Sequence, residues 1–225
     1  MSLLICKMNS IMILYHGSPE IVSRPVYGKG RIDNDYGRGF YCTESEEMAK
    51  EWATRSGTEG YVNRYSLDAS GLKTVDLNSE GYTVLNWLAV LLENRVFDPR
   101  GDSSYAREYI IENYGVDLSG ADVVRGYRAD DSYFAFARDF LDNVISVRRL
   151  SEAMRLGKLG EQVMVRSERA FSRLVFEGCE SVDVEAYGQL RARRDNDARM
   201  AYSEIRRIPP SKDDVYIADI IRGLT

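Results

Sequence analysis

Asp35-Tyr36-Gly37-Arg38-Gly39-Phe40-Tyr41-Cys42-Thr43 is the stretch whose reading decides the fold. It sets two glycines, three aromatic rings and an arginine in nine positions, then runs into Glu44–Ala53. Gly37 and Gly39 permit backbone turns that a Cβ forbids and allow close approach to a ligand. Phe40 and Tyr41 are neighbours, so on an extended segment they face opposite ways, one to the core and one to a cleft. Thr43 with Glu46 reads as a capping box opening a helix. Met48, Ala49, Trp52 and Ala53 form an apolar stripe on that helix, which turns Trp52 toward the protein body.

Working upstream, Leu14-Tyr15-His16-Gly17-Ser18 holds the only histidine of the chain. The apolar run from Ile11 to Tyr15 reads as a buried strand that delivers His16 at its C-terminal end. Downstream, strands are expected at 61–67, 72–77, 121–126, 161–166 and 174–184. Helices are expected at 83–93, 103–114, 132–141 and from Ser146 to Gly157, with Ser167 capping a short turn. Asp130 and Asp131 read as N-terminal caps of the helix that follows them. From Tyr187 the chain turns locally basic and helical, Pro209-Pro210 interrupts it, and a last helix is expected over 211–222. The expected organisation is an extension at 1–11, in which Met8 and Met12 are alternative starts, then one domain at 12–186 and a basic helical tail at 187–225 packed on it.

Composition narrows the function. The 225 residues are 44% hydrophobic and 29% charged, enough for one sizeable core. The net charge of -5 argues against global affinity for nucleic acid and leaves open a local patch. Three scattered cysteines give neither a disulfide framework nor a zinc spacing, and a reducing cytoplasm fits. One histidine excludes a His-rich metal site, so no metal is expected. Neither a P-loop nor a serine-hydrolase pattern occurs. The N-terminal apolar runs are too short for a membrane span.

The motifs L-Y-H-G-S, D-Y-G-R-G-F-Y-C-T, A-K-E-W-A, D-V-V-R-G-Y-R-A-D-D-S-Y-F and L-G-E-Q-V-M-V-R-S-E-R-A-F occur in this order. Together they resemble the ADP-ribosyltransferase superfamily, in its diphtheria-toxin and poly(ADP-ribose)-polymerase branch. They are also similar to a bacterial domain family of unknown function found in toxin–antitoxin gene pairs. The resemblance implies an α+β fold with split antiparallel sheets around an NAD cleft, helices outside and a helical C-terminal extension. It implies that His16 hydrogen-bonds the adenosine ribose, and that the Gly17 backbone, supported by Ser18, holds the nicotinamide carboxamide. Tyr41 would stack on the nicotinamide, Trp52 would close the other side, and Arg38 would meet the NAD phosphates.

At the third position, where the best-known members carry glutamate, this chain has Gln162. An amide accepts a hydroxyl hydrogen bond but brings no charge to an oxocarbenium-like centre. Glu161 should face away from Gln162 on a strand. The resemblance therefore implies NAD as substrate and mono-ADP-ribosylation of a macromolecular acceptor, with an antitoxin protein as a further partner. Two other readings stay open: an NAD glycohydrolase, and a catalytically silent NAD-binding module.

Overall fold

The structure is a computed structural model, and it describes residues 10–57, 59–96, 102–129, 131–156 and 160–224. Seven strands form two sheets. β1 (Ile11–Ser18), β3 (Tyr61–Asp68) and β7 (Leu174–Ser181) make an antiparallel sheet with β3 in the middle. β2 (Phe40–Cys42), β4 (Thr74–Asp76), β5 (Val123–Tyr127) and β6 (Glu161–Val165) make the other, in the order β2-β6-β5-β4. The expected α+β class with two sheets is therefore present. The expectation of purely antiparallel pairing is corrected: β4 runs parallel to β5. Helices lie between β4 and β5 in sequence, and a crossover of that kind returns the chain in the same direction.

The two faces of β6 explain the layering. Val163 and Val165 point toward the first sheet and pack with Leu14, Cys42 and Leu67. Met164 points the other way, into a larger core with Trp87, Leu88, Leu91, Phe136 and Phe140. That core is built on α2 (Val84–Asn94), which is buried on nearly every side, as its apolar sequence requires. Thr83 and Asn86 cap it reciprocally. Burying each such large apolar side chain contributes about 1.5–3 kcal/mol. Around α2 sit α3 (Asp102–Tyr114), α4 (Asp131–Leu141) and α5 (Val147–Ala153). Ser146 caps α5, and Ser167 caps α6 (Glu168–Phe171), both as expected. Among the described residues no helix is long and apolar enough to cross a membrane.

α1 (Glu46–Ala53) begins two residues later than the capping box suggested. Ser45, not Thr43, is its N-cap and accepts from the Met48 N–H. Thr43 is held instead by backbone pairing with Tyr15. The tail forms α7 (Val184–Arg207), which Asp183 caps, so it starts inside the expected domain and lies along α1. The expected extension at 1–11 falls outside the described residues except for its last positions, and Ile11 already opens β1.

The last helix is shorter than expected, α8 (Ile217–Ile221), because Asp214 takes the preceding segment. Its buried carboxylate accepts from the Ser211 N–H at 2.9 Å, Ser146 Oγ at 3.0 Å and Arg148 Nη2 at 2.8 Å. The buried Arg149 guanidinium lies 3.3 Å away. The Ser211 amide and the Arg148 guanidinium hold the Asp214 carboxyl down at about 2, from an ordinary 3.8. A depressed carboxyl stabilises the fold above its unfolded value and loses that contribution as pH falls through its folded one. Asp214→Ala should cost about 3 kcal/mol by leaving a buried guanidinium unpaired. Urea unfolding should also show that the parent's loss of stability between about pH 4 and pH 2 is smaller in the variant.

Candidate functional site

The site forms where the two sheets part. Tyr15 and Thr43 exchange backbone hydrogen bonds at 2.8 and 2.9 Å. That bridge is isolated, since β1 and β2 belong to different sheets, and beside it His16 Nδ1 lies 2.7 Å from the Tyr41 carbonyl oxygen. A carbonyl only accepts, so Nδ1 carries the proton. Burial pushes the imidazole pKa down, which favours the neutral ring. Its Nε2 is then left with a lone pair able to accept from a hydroxyl. The Phe40 ring backs the imidazole at 4.5 Å.

Gly17 follows. By the alternation of β1, its N–H and C=O point the same way as those of Tyr15, away from β3 and toward the cleft. The physical reason for glycine here is not ligand approach. A Cβ would lie 1.9 Å from the Ala49 carbonyl oxygen, so α1 packs directly on this backbone. Ser18 is buried, its hydroxyl shared between Asn63 and the Glu20 carbonyl, and it does not line the cavity.

Tyr41 is fixed at both ends of its hydroxyl. The Tyr36 N–H donates to it at 2.9 Å, and it donates to the Gly37 carbonyl at 2.7 Å. Gly37 adopts φ +80, which turns the loop back onto the ring. Burial raises the pKa of the Tyr41 phenol, so it remains a neutral donor. Phe40 and Tyr41 face opposite ways, as their adjacency required: Phe40 packs on Tyr65 and Phe171 while Tyr41 lines the cavity.

Gln162 lines the same cavity and is buried, with its Nε2 donating to Asp35 Oδ2 at 2.8 Å and to the Tyr127 carbonyl at 3.2 Å. Both amide hydrogens are thus used, and the group offers its oxygen. Asp35 is buried too. It accepts from the Ala129 N–H at 3.0 Å and stands 3.6 Å from Arg95. Desolvation raises its pKa. Glu161 faces the other side of β6, where it pairs with Arg125 at 2.5 Å.

The cavity holding His16, Gly17, Tyr41, Trp52, Asp35 and Gln162 measures about 320 Å³. A second chamber of about 500 Å³ shares His16, Asn34 and Tyr41 with it. Of the residues expected in the site, His16, Gly17, Tyr41, Trp52 and Gln162 are brought together. Arg38 is exposed and lines neither chamber. One face of Trp52 is already covered by the Arg128 guanidinium, 4.8 Å from the ring centroid. Asp130 lies outside the described residues.

A family model described as "Protein of unknown function (DUF3990)" matches residues 12–176. The chain belongs to this family. The matched span runs from β1 into β7 and contains His16, Tyr41 and Gln162, whereas α7 and α8 lie beyond it. No curated protein and no solved structure matches the chain.

Sequence reasoning missed Asp35, although it heads the deciding stretch. An acid directly before a buried aromatic and a glycine was its only signal. It also missed Arg95, Arg128 and the α7 residues Arg191, Asp195 and Arg199, which line the cavity. The tail was expected to pack on the domain, but nothing local says which way a mostly polar helix faces.

Because His16 is the only histidine, its titration is directly visible. Nitrogen and proton NMR should show one imidazole, as the Nδ1–H tautomer, titrating below 6.5. An Nε2–H tautomer would remove the Tyr41 carbonyl contact from the account, and a pKa above 6.5 would mean that this contact, which raises the pKa, outweighs burial.

Proposed function

We propose that this protein is an NAD-consuming enzyme on an ADP-ribosyltransferase-like fold, transferring ADP-ribose to a macromolecular acceptor. The observation that carries the reading is convergence. His16, Tyr41 and Gln162 come from three different strands and line one cavity, with the cleft-facing backbone of Gly17 between them.

Each group has a task that its geometry suits. The neutral His16 offers Nε2 to a ribose hydroxyl. Gly17 offers a donor and an acceptor in the pattern a carboxamide needs. The Tyr41 ring, locked through its hydroxyl, gives the cationic pyridinium a flat electron-rich surface. As the bond from C1′ to nicotinamide breaks, its electron pair leaves with the ring and C1′ gains oxocarbenium character. Gln162 accepts from the adjacent ribose hydroxyl through Oε1, with the carboxylate of Asp35 behind it. The acceptor then bonds to C1′ and loses a proton; with water in that place the reaction is glycohydrolysis.

The absence of a carboxylate at position 162 also supports a second reading, an NAD-binding module without turnover. As an extension of the first reading, the chain is the toxic member of a gene pair and an antitoxin protein restrains it. Toxicity on bacterial expression that Tyr41→Ala relieves supports that extension.

Incubation of the purified chain with NAD should release nicotinamide. His16→Ala and Tyr41→Ala should abolish release, and Gln162→Ala should slow it by about 10²-fold, the cost of losing one hydrogen bond at a developing charge. Binding of NAD without release selects the silent module. Neither binding nor release would sink both readings.

A further inference from the structure

His16, Asn34 and Tyr41 line both chambers of the site, so they mark the junction where the two adjoin. Two of the three have their polar groups accounted for. The Tyr41 hydroxyl is committed to the Tyr36 N–H and the Gly37 carbonyl. His16 presents Nε2 as an acceptor, because its Nδ1–H goes to the Tyr41 carbonyl. Asn34 is the third. Its side chain is held by one long contact, from Nδ2 to the Arg31 carbonyl at 3.4 Å, and among the described residues its Oδ1 meets no donor.

An asparagine in this place ordinarily turns its side-chain oxygen onto its own backbone. The Gly37 N–H donates to the Asn34 carbonyl at 3.0 Å, so Asn34 opens a turn. The usual partner of its Oδ1 is the N–H two residues on, that of Tyr36. Here the Tyr41 hydroxyl takes that N–H at 2.9 Å. The contact that locks the Tyr41 ring therefore frees the Asn34 oxygen. Three neutral side chains of the lining then offer an acceptor each: His16 through Nε2, Asn34 through Oδ1, and Gln162 through Oε1, since both its amide hydrogens go to Asp35 and Tyr127. A wall of acceptors selects a ligand that brings hydroxyl donors.

We infer that Asn34 is a ligand-binding residue at the junction, and that with His16 it holds the two neighbouring hydroxyls of one ribose, one hydroxyl to each. A site built to accept from two hydroxyls rejects an analogue that lacks either, so Asn34 sets specificity as well as affinity. The free oxygen and its place between the chambers stand on geometry. That the ribose is the adenosine ribose of NAD rests on the reading proposed above.

The test is calorimetric titration of the full chain with NAD and with the two analogues that lack the 2′- or the 3′-hydroxyl of the adenosine ribose. The parent should bind each analogue about tenfold more weakly than NAD, the cost of one hydrogen bond. In Asn34→Ala one of these penalties should vanish, while the other, belonging to His16, should stay. Asn34→Asp keeps an acceptor oxygen in this place and should restore the lost penalty. Restoration separates a contact with the ligand from a disturbance of the turn, and its failure assigns the loss to the turn and overturns the inference. A parent from which either hydroxyl can be removed without penalty overturns it too, as does an Asn34→Ala chain that keeps both penalties or loses both; NAD binding in these cases leaves the NAD reading standing. Adenosine monophosphate and its 2′- and 3′-deoxy forms are titrated alongside. A chain that binds the monophosphate with this pattern of penalties and never binds NAD upholds the role of Asn34 while the NAD reading falls. Binding of neither overturns both.

Discussion

The cleft opens beside the single backbone bridge, Tyr15 with Thr43, at which the strands of the two sheets meet. Two strands that diverge must leave backbone groups without partners, and buried carbonyls are costly to orphan. The His16 imidazole takes the Tyr41 carbonyl that the ladder abandons. One hydrogen bond therefore closes the gap in the sheet, selects the imidazole tautomer and presents the other nitrogen to the cavity. The wall on the far side of Gly17 is equally constrained, since helix α1 rests on a backbone that tolerates no Cβ. The opening is set from both sides by contacts that any ligand would find already made.

A buried carboxyl group stands in the cavity wall, among its arginines. Asp35 is desolvated, yet the Ala129 amide, the Gln162 amide and Arg95 all favour its ionised form. Gln162 is oriented by this contact: with its nitrogen turned to Asp35 and the Tyr127 carbonyl, its oxygen is the end left for a ligand. On the proposed reading, negative charge absent from position 162 itself stands one hydrogen bond behind it. Carboxylate and amide together make a weaker electrostatic partner for a cationic transition state than a carboxylate in direct contact, because the interaction falls with distance.

Most elements were legible because their signals are local. The all-round apolar run of α2, the serine caps of α5 and α6, and the hydrophobic β6 each declare themselves within a dozen residues. His16, Tyr41, Trp52 and Gln162 were legible through motif order rather than through any physical property of one residue. What stayed hidden was set by tertiary contacts. Thr43 lost its capping role because Tyr15 claimed its backbone. The final helix lost its first residues because Asp214 found Ser146 and two arginines far away in sequence. Arg38 was read into the site through the stretch it shares with Tyr41; it is exposed, beside the positive φ of Gly37.

The tail carries the same lesson into electrostatics. A helix with a mean composition as polar as α7 has no apolar stripe strong enough to announce its orientation, and Ala198 and Tyr202 are its only buried residues among those described. Its facing is fixed by tertiary contacts on one row: Arg194 meets Glu51 of α1, Ala198 is buried, and Tyr202 packs on Phe136 and donates to Asp139. Once that row is fixed, the period of the helix sends positions 191, 195 and 199 toward the cavity whatever their chemistry. Contacts outside the cavity thus determine which charges enter it, and the character of the cleft depends on a helix that begins eight residues after the matched span ends.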